Sequence, residues 1–168
     1  MAQATRPERY GPAVMADDDV VIEHPNRRKA ASQLARLVVI VLLIASAALV
    51  LIVSIGGWDT IEGAKAIQVA FIIVYLVMAL FVARWARGVL PMIAALAVIL
   101  GIFGAVAAPA WFDRDKDGFT NPPIASGVLG LLCVLLVLVQ IALLLSAMIG
   151  FRQQWNVEVE HRPEPAPA

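Results

Sequence analysis

An all-α membrane protein is the fold class this sequence predicts, built as an antiparallel four-helix transmembrane bundle with disordered cytoplasmic tails. Three observations predict it. Four long stretches carry no charged side chain: Leu37 to Trp58, Ala66 to Ala83, Gly88 to Phe112 and Asn121 to Phe151. Each has the length, roughly 17 to 25 residues or more, with which a helix crosses a hydrocarbon core about 30 Å thick. Basic residues gather at alternate ends of these stretches. The connections are short, so consecutive spans run as antiparallel neighbours. Hydrophobic residues make up 61% of the chain, and they come in blocks instead of at amphipathic spacing, so a soluble fold could not hide them.

Residues 1–30 form a polar N-terminal tail rich in Pro, Gly and Ala, with an acidic run at Asp17, Asp18 and Asp19. Such a composition suits disorder. Because this tail precedes an apolar block that is itself of spanning length, the block is expected to stay as an uncleaved anchor, not to act as a signal peptide. The bundle occupies 31–152, with spans at about 34–57, 66–85, 89–111 and 123–151, and 153–168 form a C-terminal tail. Pro91 falls in the first turn of the third span, where a missing N–H costs nothing. Pro109 is expected to tighten or end that span, and Pro122 with Pro123 to close the loop before the fourth.

Charge sets the orientation. Arg27, Arg28, Lys29 and Arg36 precede the first span, Arg84 and Arg87 separate the second from the third, and Arg152 follows the fourth. The other two loops offer only Lys65, and Arg114 with Lys116. The positive-inside bias therefore places both termini in the cytoplasm of a multi-pass plasma-membrane protein. Trp58 and Trp111 then fall at the outer boundary and Trp85 and Trp155 at the inner one, as an aromatic belt does.

Lipid tails are as apolar as leucine, so helices associate through close backbone approach or interhelical hydrogen bonds. Gly101 with Ala105, Gly104 with Ala108, and Ser126 with Gly130 are small residues four apart, which predicts that the third and fourth spans pair. Gln140 in the fourth span and Gln68 in the second need partners, and Ser46, Ser146 and the Tyr75 hydroxyl are the candidates. The single cysteine, Cys133, has no disulfide partner and reads as a small hydrophobe.

Several chemistries lack their residues. A charge at the centre of a membrane helix costs at least about 2.5 to 3.5 kcal/mol and marks ion or proton pathways, and none of the core spans carries one. His24 and His161 both lie in the tails, so the spans cannot supply paired ligands to a buried haem. One cysteine cannot run disulfide exchange, and no Walker or Rossmann glycine pattern is present. The sequence thus reads as a non-enzyme. With 13 basic and 13 acidic side chains, and a basic cluster explained by anionic headgroups, no nucleic-acid partner is expected.

The spans ask for no cofactor. One loop does suggest a metal, because Asp113, Asp115, Asp117 and Gly118 match D-x-D-x-D-G. They resemble the start of an EF-hand calcium loop, and the resemblance makes the Phe119 carbonyl and the Asn121 side chain the next ligands. Ile124 stands where that loop wants a bidentate Glu, leaving Asp59 or Glu62 to complete the set. The same stretch also reads as an acidic turn held by Asx hydrogen bonds. A fainter echo joins the tails: Val20-Val-Ile-Glu-His24-Pro and Val157-Glu-Val-Glu-His161-Arg-Pro share Glu-His beside apolar residues. The alternation allows an edge-to-edge strand pair, or a metal shared by the two histidines.

In whole-chain pattern, with Ala-, Val- and Leu-rich spans, arginines at 84 and 87, and polar Pro-containing tails, the chain resembles the small four-span membrane proteins of actinobacteria. That resemblance implies the layout and brings no activity with it. The expected role is that of an accessory or scaffolding membrane component, with the lipid bilayer and a membrane-protein partner or second copy as its company. Two alternatives stay open: a small oligomeric transporter or channel lined by Gln68, Tyr75, Gln140 and serines, and an extracytoplasmic calcium module on the 113–121 loop. Calcium titration of the purified protein tests the last. Heat or a thermal shift within several millimolar, lost in Asp115→Ala, is the expected result, and silence in both proteins removes the site.

Overall fold

The structure is a computed structural model that describes residues 21–23, 25–61, 63–114 and 122–161. Four helices are long and apolar enough to span a membrane: α1 (Ala30–Gly56), α2 (Lys65–Ala83), α3 (Leu90–Asp113) and α4 (Ser126–Arg152). Short 3-10 turns at Pro25–Arg28 and Arg87–Val89 lead into α1 and α3, and two short strands, β1 (Val21–Glu23) and β2 (Val159–His161), flank the set.

The helix limits follow local chemistry. α1 starts at Ala30, ahead of the expected 34, because Ala-Ala-Ser-Gln are compatible with a first turn and the Ser32 and Gln33 amides donate to the Lys29 carbonyl. α4 starts only at Ser126, after an extended Ala125, because the two prolines upstream hold the chain out of helical geometry. Pro91 sits in the first turn of α3 as expected, whereas Pro109 does not end that helix, which runs on to Asp113. α2 stops at Ala83, where the Trp85 amide donates to the Val82 carbonyl and the Ala86 amide to Phe81, the paired bonds of a Schellman cap.

α3 packs along α4, α4 along α1, and α1 along α2. One end of the set gathers residues 25–28, 84–89 and 153–161 and is called the tail end below. The other, the loop end, gathers 57–61, 63–64 and 122–125. At the loop end a Cβ on Gly56 would meet Ile124 and Leu129, and one on Gly57 would meet the Trp111 ring. The buried side chains form a main cluster around Val39, Leu43, Tyr75, Leu90, Leu143 and Trp155, and a second one at the loop end around Val53, Trp111, Leu129 and Cys133. Cys133 packs there as a hydrophobe, as its surroundings dictate.

Small residues set the closest approach. Gly104 and Ala108 of α3 and Ser126 and Gly130 of α4 are buried. A Cβ on Gly104 would lie 3.4 Å from the Cys133 carbonyl oxygen and 3.2 Å from Val137, and one on Gly130 would lie 2.8 Å from the Phe112 ring. The expected α3–α4 pairing is present, but Ala105 is exposed and Gly101 only half-buried, so that pair sits at the seam's edge.

Outward, the helices stay apolar all round. Val106 is 68% exposed, Leu80 63% and Leu131 62%. Helices with this surface suit hydrocarbon surroundings.

The tails are not wholly open where they are described. β1 and β2 pair antiparallel with Val21 opposite His161, Ile22 opposite Glu160 and Glu23 opposite Val159. His24 lies outside the described residues, so the shared-histidine metal does too.

Widening the α3–α4 seam tests this packing. Gly104→Val is expected to lose about 1 to 3 kcal/mol by overpacking, read as a lower unfolding temperature in detergent. Gly88→Ala, whose Cβ meets nothing within 4 Å, is expected to melt as the parent does.

Candidate functional site

Two groups of polar side chains are positioned by the fold, one at mid-bundle and one at the tail end. At mid-bundle, Gln140 of α4 joins α1 and α2. The Tyr75 hydroxyl donates to Gln140 Oε1 at 2.8 Å, Gln140 Nε2 donates to Ser46 Oγ at 2.9 Å, and Ser46 donates to the Leu42 carbonyl of its own helix at 2.7 Å. All three side chains are at most 1% exposed. The chain of bonds runs in one direction, each hydroxyl giving its single proton once.

Nearer the loop end, Ser54 Oγ lies 2.6 Å from both the Val50 carbonyl oxygen and Gln68 Oε1. One hydroxyl proton serves only one acceptor. Turning the Gln68 amide over lets its NH2 donate to Ser54 while the Ser54 hydroxyl donates to Val50, so that each hydrogen bond has its own proton. Ser146, the remaining candidate partner, is not joined to Gln140.

These contacts bear on transport. A path lined by Gln68, Tyr75, Gln140 and serines needs their polar atoms turned to water. Instead Tyr75, Gln140 and Ser46 turn to one another, leaving Gln68, bonded to Ser54, beside open space, and among the described residues no buried side-chain nitrogen or oxygen lacks a partner.

At the tail end, arginines from neighbouring segments cap the last carbonyls of α2 and α4. Arg36 of α1 reaches across to α2, where Nε donates to the Val82 carbonyl at 3.3 Å and a terminal nitrogen donates to Ala83. Arg87 Nε donates to the Phe151 carbonyl of α4 at 2.8 Å. The last carbonyls of a helix have no partner of their own and carry the negative end of its dipole, so each such contact contributes about 0.3 to 1 kcal/mol.

Trp85 shows what holds this corner. Its φ is +62°, a left-handed conformation that glycine favours and that costs other residues roughly 1 to 2 kcal/mol. The ring is held by a T-shaped contact with Trp155, centroids 5.4 Å apart, and by the Arg36 guanidinium 4.5 Å above it. Trp155 is fully buried and packs on Gly150. It also draws in the N-terminal segment: Arg27 Nε donates to the Trp155 carbonyl at 3.1 Å, Asn26 Nδ2 to the Gln154 carbonyl at 3.0 Å, and Gln153 Nε2 to the Ala31 carbonyl at 3.3 Å. The two ends of the bundle chain are thereby fastened together.

The four tryptophans fall two at each end, Trp58 and Trp111 at the loop end and Trp85 and Trp155 at the tail end, and Trp58 is 44% exposed with the Lys65 ammonium 4.8 Å from its ring. Trp111 and Trp155 are buried as packing units and Trp85 is half-buried, because each has a glycine or a second ring to pack on. Sequence reasoning found Ser46 and Tyr75 for Gln140 but missed Ser54 for Gln68. The signal was there, since Ser54 near the end of α1 and Gln68 near the start of α2 share one depth. It also read Arg36 and Arg87 as topology markers only, although both are close in sequence to helix ends.

The predicted calcium ligands fall mostly outside the described residues. Asp113 is the last residue of α3 and Asp59 is exposed in the loop after α1. Asp115, Asp117, Phe119 and Asn121, with Glu62, lie beyond what is described.

No protein-family model matches the chain, and neither a curated protein nor a solved structure does.

The mid-bundle network predicts a shared energy. Gln140→Leu is expected to lose about 1 to 2 kcal/mol and Tyr75→Phe about 0.6, measured by denaturant titration in mixed micelles. The double variant is expected to be no worse than Gln140→Leu alone, because both lose the same bond. Fully additive losses would show that the side chains act separately.

Proposed function

We propose that this chain is a non-catalytic, four-span plasma-membrane protein, an antiparallel bundle with both termini in the cytoplasm, serving as an accessory or scaffolding component. Its working surface is the tail end. The observation that carries this reading is the fastening of residues 21–23 and 25–31 to 153–161, by the β1–β2 ladder and by Asn26, Arg27 and Gln153. Such a junction makes one folded platform out of two tails, and a two-stranded ladder has outer edges to which a partner's strand can add.

The use made of polar groups supports the same reading. Gln140, Tyr75, Ser46, Ser54 and Gln68 hold helices to helices, and Arg36 and Arg87 cap them. A scaffold needs this rigidity, whereas an active site needs groups held ready for substrate. The basic residues at the tail end support the cytoplasmic placement by the positive-inside bias.

Topology and role are testable in one cell line. With Cys133 replaced by Ala, single cysteines at Gly88 and Gly63, both open positions, are labelled in intact cells with a membrane-impermeant maleimide. Labelling of Gly63→Cys alone is the expected result, and the reverse pattern overturns the orientation. Cross-linking in native membranes is then expected to join the tail end to a stoichiometric partner, and Trp155→Ala to lose that product. A homo-oligomer that moves solute in liposomes would replace the scaffold reading with transport.

A further inference from the structure

α2 and α3 approach each other closely at hardly any point, although each packs along its other neighbour. The edge contact between Phe71 and Phe103, centroids 6.0 Å apart, bridges the gap. Around it lies a cleft of about 250 Å³ whose floor includes Val50, Leu100 and Leu136. Its lips, Ile67 and Phe103, are about half exposed, so it opens sideways between the two helices. Toward the loop end it runs into a second space of about 280 Å³, sharing Val53, Ala64, Gln68 and Ala107 with it. That second space ends among Thr60, Gly63 and Arg114.

The lining therefore changes along the cleft, from aliphatic and aromatic side chains at mid-bundle, past the Gln68 amide, to a guanidinium at the loop end. The geometry points to a site for one acyl chain of an anionic phospholipid in the leaflet at the loop end, with its headgroup phosphate on Arg114. This rests on the membrane reading above. Hydrocarbon fills an apolar gap that opens to a bilayer, because the lining atoms otherwise lose their dispersion contacts. A lateral opening admits the chain of a lipid already in the membrane, so no route from water is needed.

Arg114 supplies the choice of headgroup. Its guanidinium lies 5.4 Å from the Trp111 ring centroid, and a guanidinium resting on an aromatic face keeps edge donors that match a phosphate two at a time. A phosphodiester is held there by its own acyl chain as well as by the guanidinium, which a free phosphate is not.

Native mass spectrometry of the full-length protein tests the site, after purification in mild detergent with equal phosphatidylglycerol and phosphatidylcholine of matched chains. One phosphatidylglycerol per chain, retained over phosphatidylcholine, is the expected result. Arg114→Gln is expected to lower the ratio of the two about fivefold, the factor one basic side chain gives near an anionic headgroup. Arg152→Gln at the tail end is expected to leave that ratio alone. Ala107→Phe, which fills both spaces, is expected to lose both lipids. Should Ala107→Phe fail to fold by gel filtration, Arg114→Gln at the rim decides alone. Equal retention of the two lipids by the parent overturns the proposal, as does an unchanged ratio in Arg114→Gln. So does a dimer that Ala107→Phe abolishes, which would seat a second copy in the cleft. A protein labelled with the expected topology but lacking selective lipid retention keeps the membrane reading and loses only this site.

Discussion

Hydrocarbon offers no hydrogen bonds, and that one constraint organises this chain. Each polar atom at membrane depth has to be satisfied by protein, at a cost of several kcal/mol if it is not. The serines answer by bonding back to their own helices, Ser46 to Leu42 and Ser54 to Val50. The two glutamines answer by reaching another helix. Since burial of apolar surface does not favour helix association in lipid, these bonds and the small-residue contact at Gly104 and Gly130 specify which helix lies beside which.

At the tail end the same constraint meets water. The last carbonyls of α2 and α4 lie where the surroundings change, and Arg36 and Arg87 supply donors from long stems that place the charge at the boundary. Trp85 in a left-handed conformation is then a consequence of a sharp cap without glycine. The strain persists because Trp155 and Arg36 pack the ring from two sides. Fastening of the segments that flank α1 and α4 follows from this, since the residues that bury Trp155 also place Gln154 and Gln153 within reach of Asn26 and Ala31.

Much of the helix layout was legible because charge and proline are local signals. Uncharged runs located all four helices to within a few residues, and the errors fell where caps decide, at Ala30 and Ser126. The α3–α4 face was legible from Gly104, Ala108, Ser126 and Gly130, since small residues four apart have to share one side of a helix. Which amide meets which hydroxyl was not. That depends on how each helix is rotated about its axis, and helices that are apolar all round carry almost no periodic signal to fix rotation. The role of Trp155 was hidden for a related reason: a polar stretch such as Arg152 to Asn156 looks like tail until a partner surface exists for it. The calcium loop shows the opposite limit, a pattern readable in sequence whose ligands after Asp113 in the loop lie outside the described structure.

α2 is the element these interactions hold least. Only 17% of its most apolar window is buried, against 39% for α1, and its neighbour on one side is a cleft and not a helix. It is fixed instead at three heights: by Gln68 to Ser54 near the loop end, by Tyr75 to Gln140 at mid-bundle, and by Arg36 on its last carbonyls. Each of these is polar and directional, so α2 has its register set more sharply than its packing. An element with few buried contacts has little local stability beyond such ties. The α2–α3 seam is therefore the side on which the protein supplies α2 with the fewest contacts, and these three polar ties are what keep α2 in place beside it.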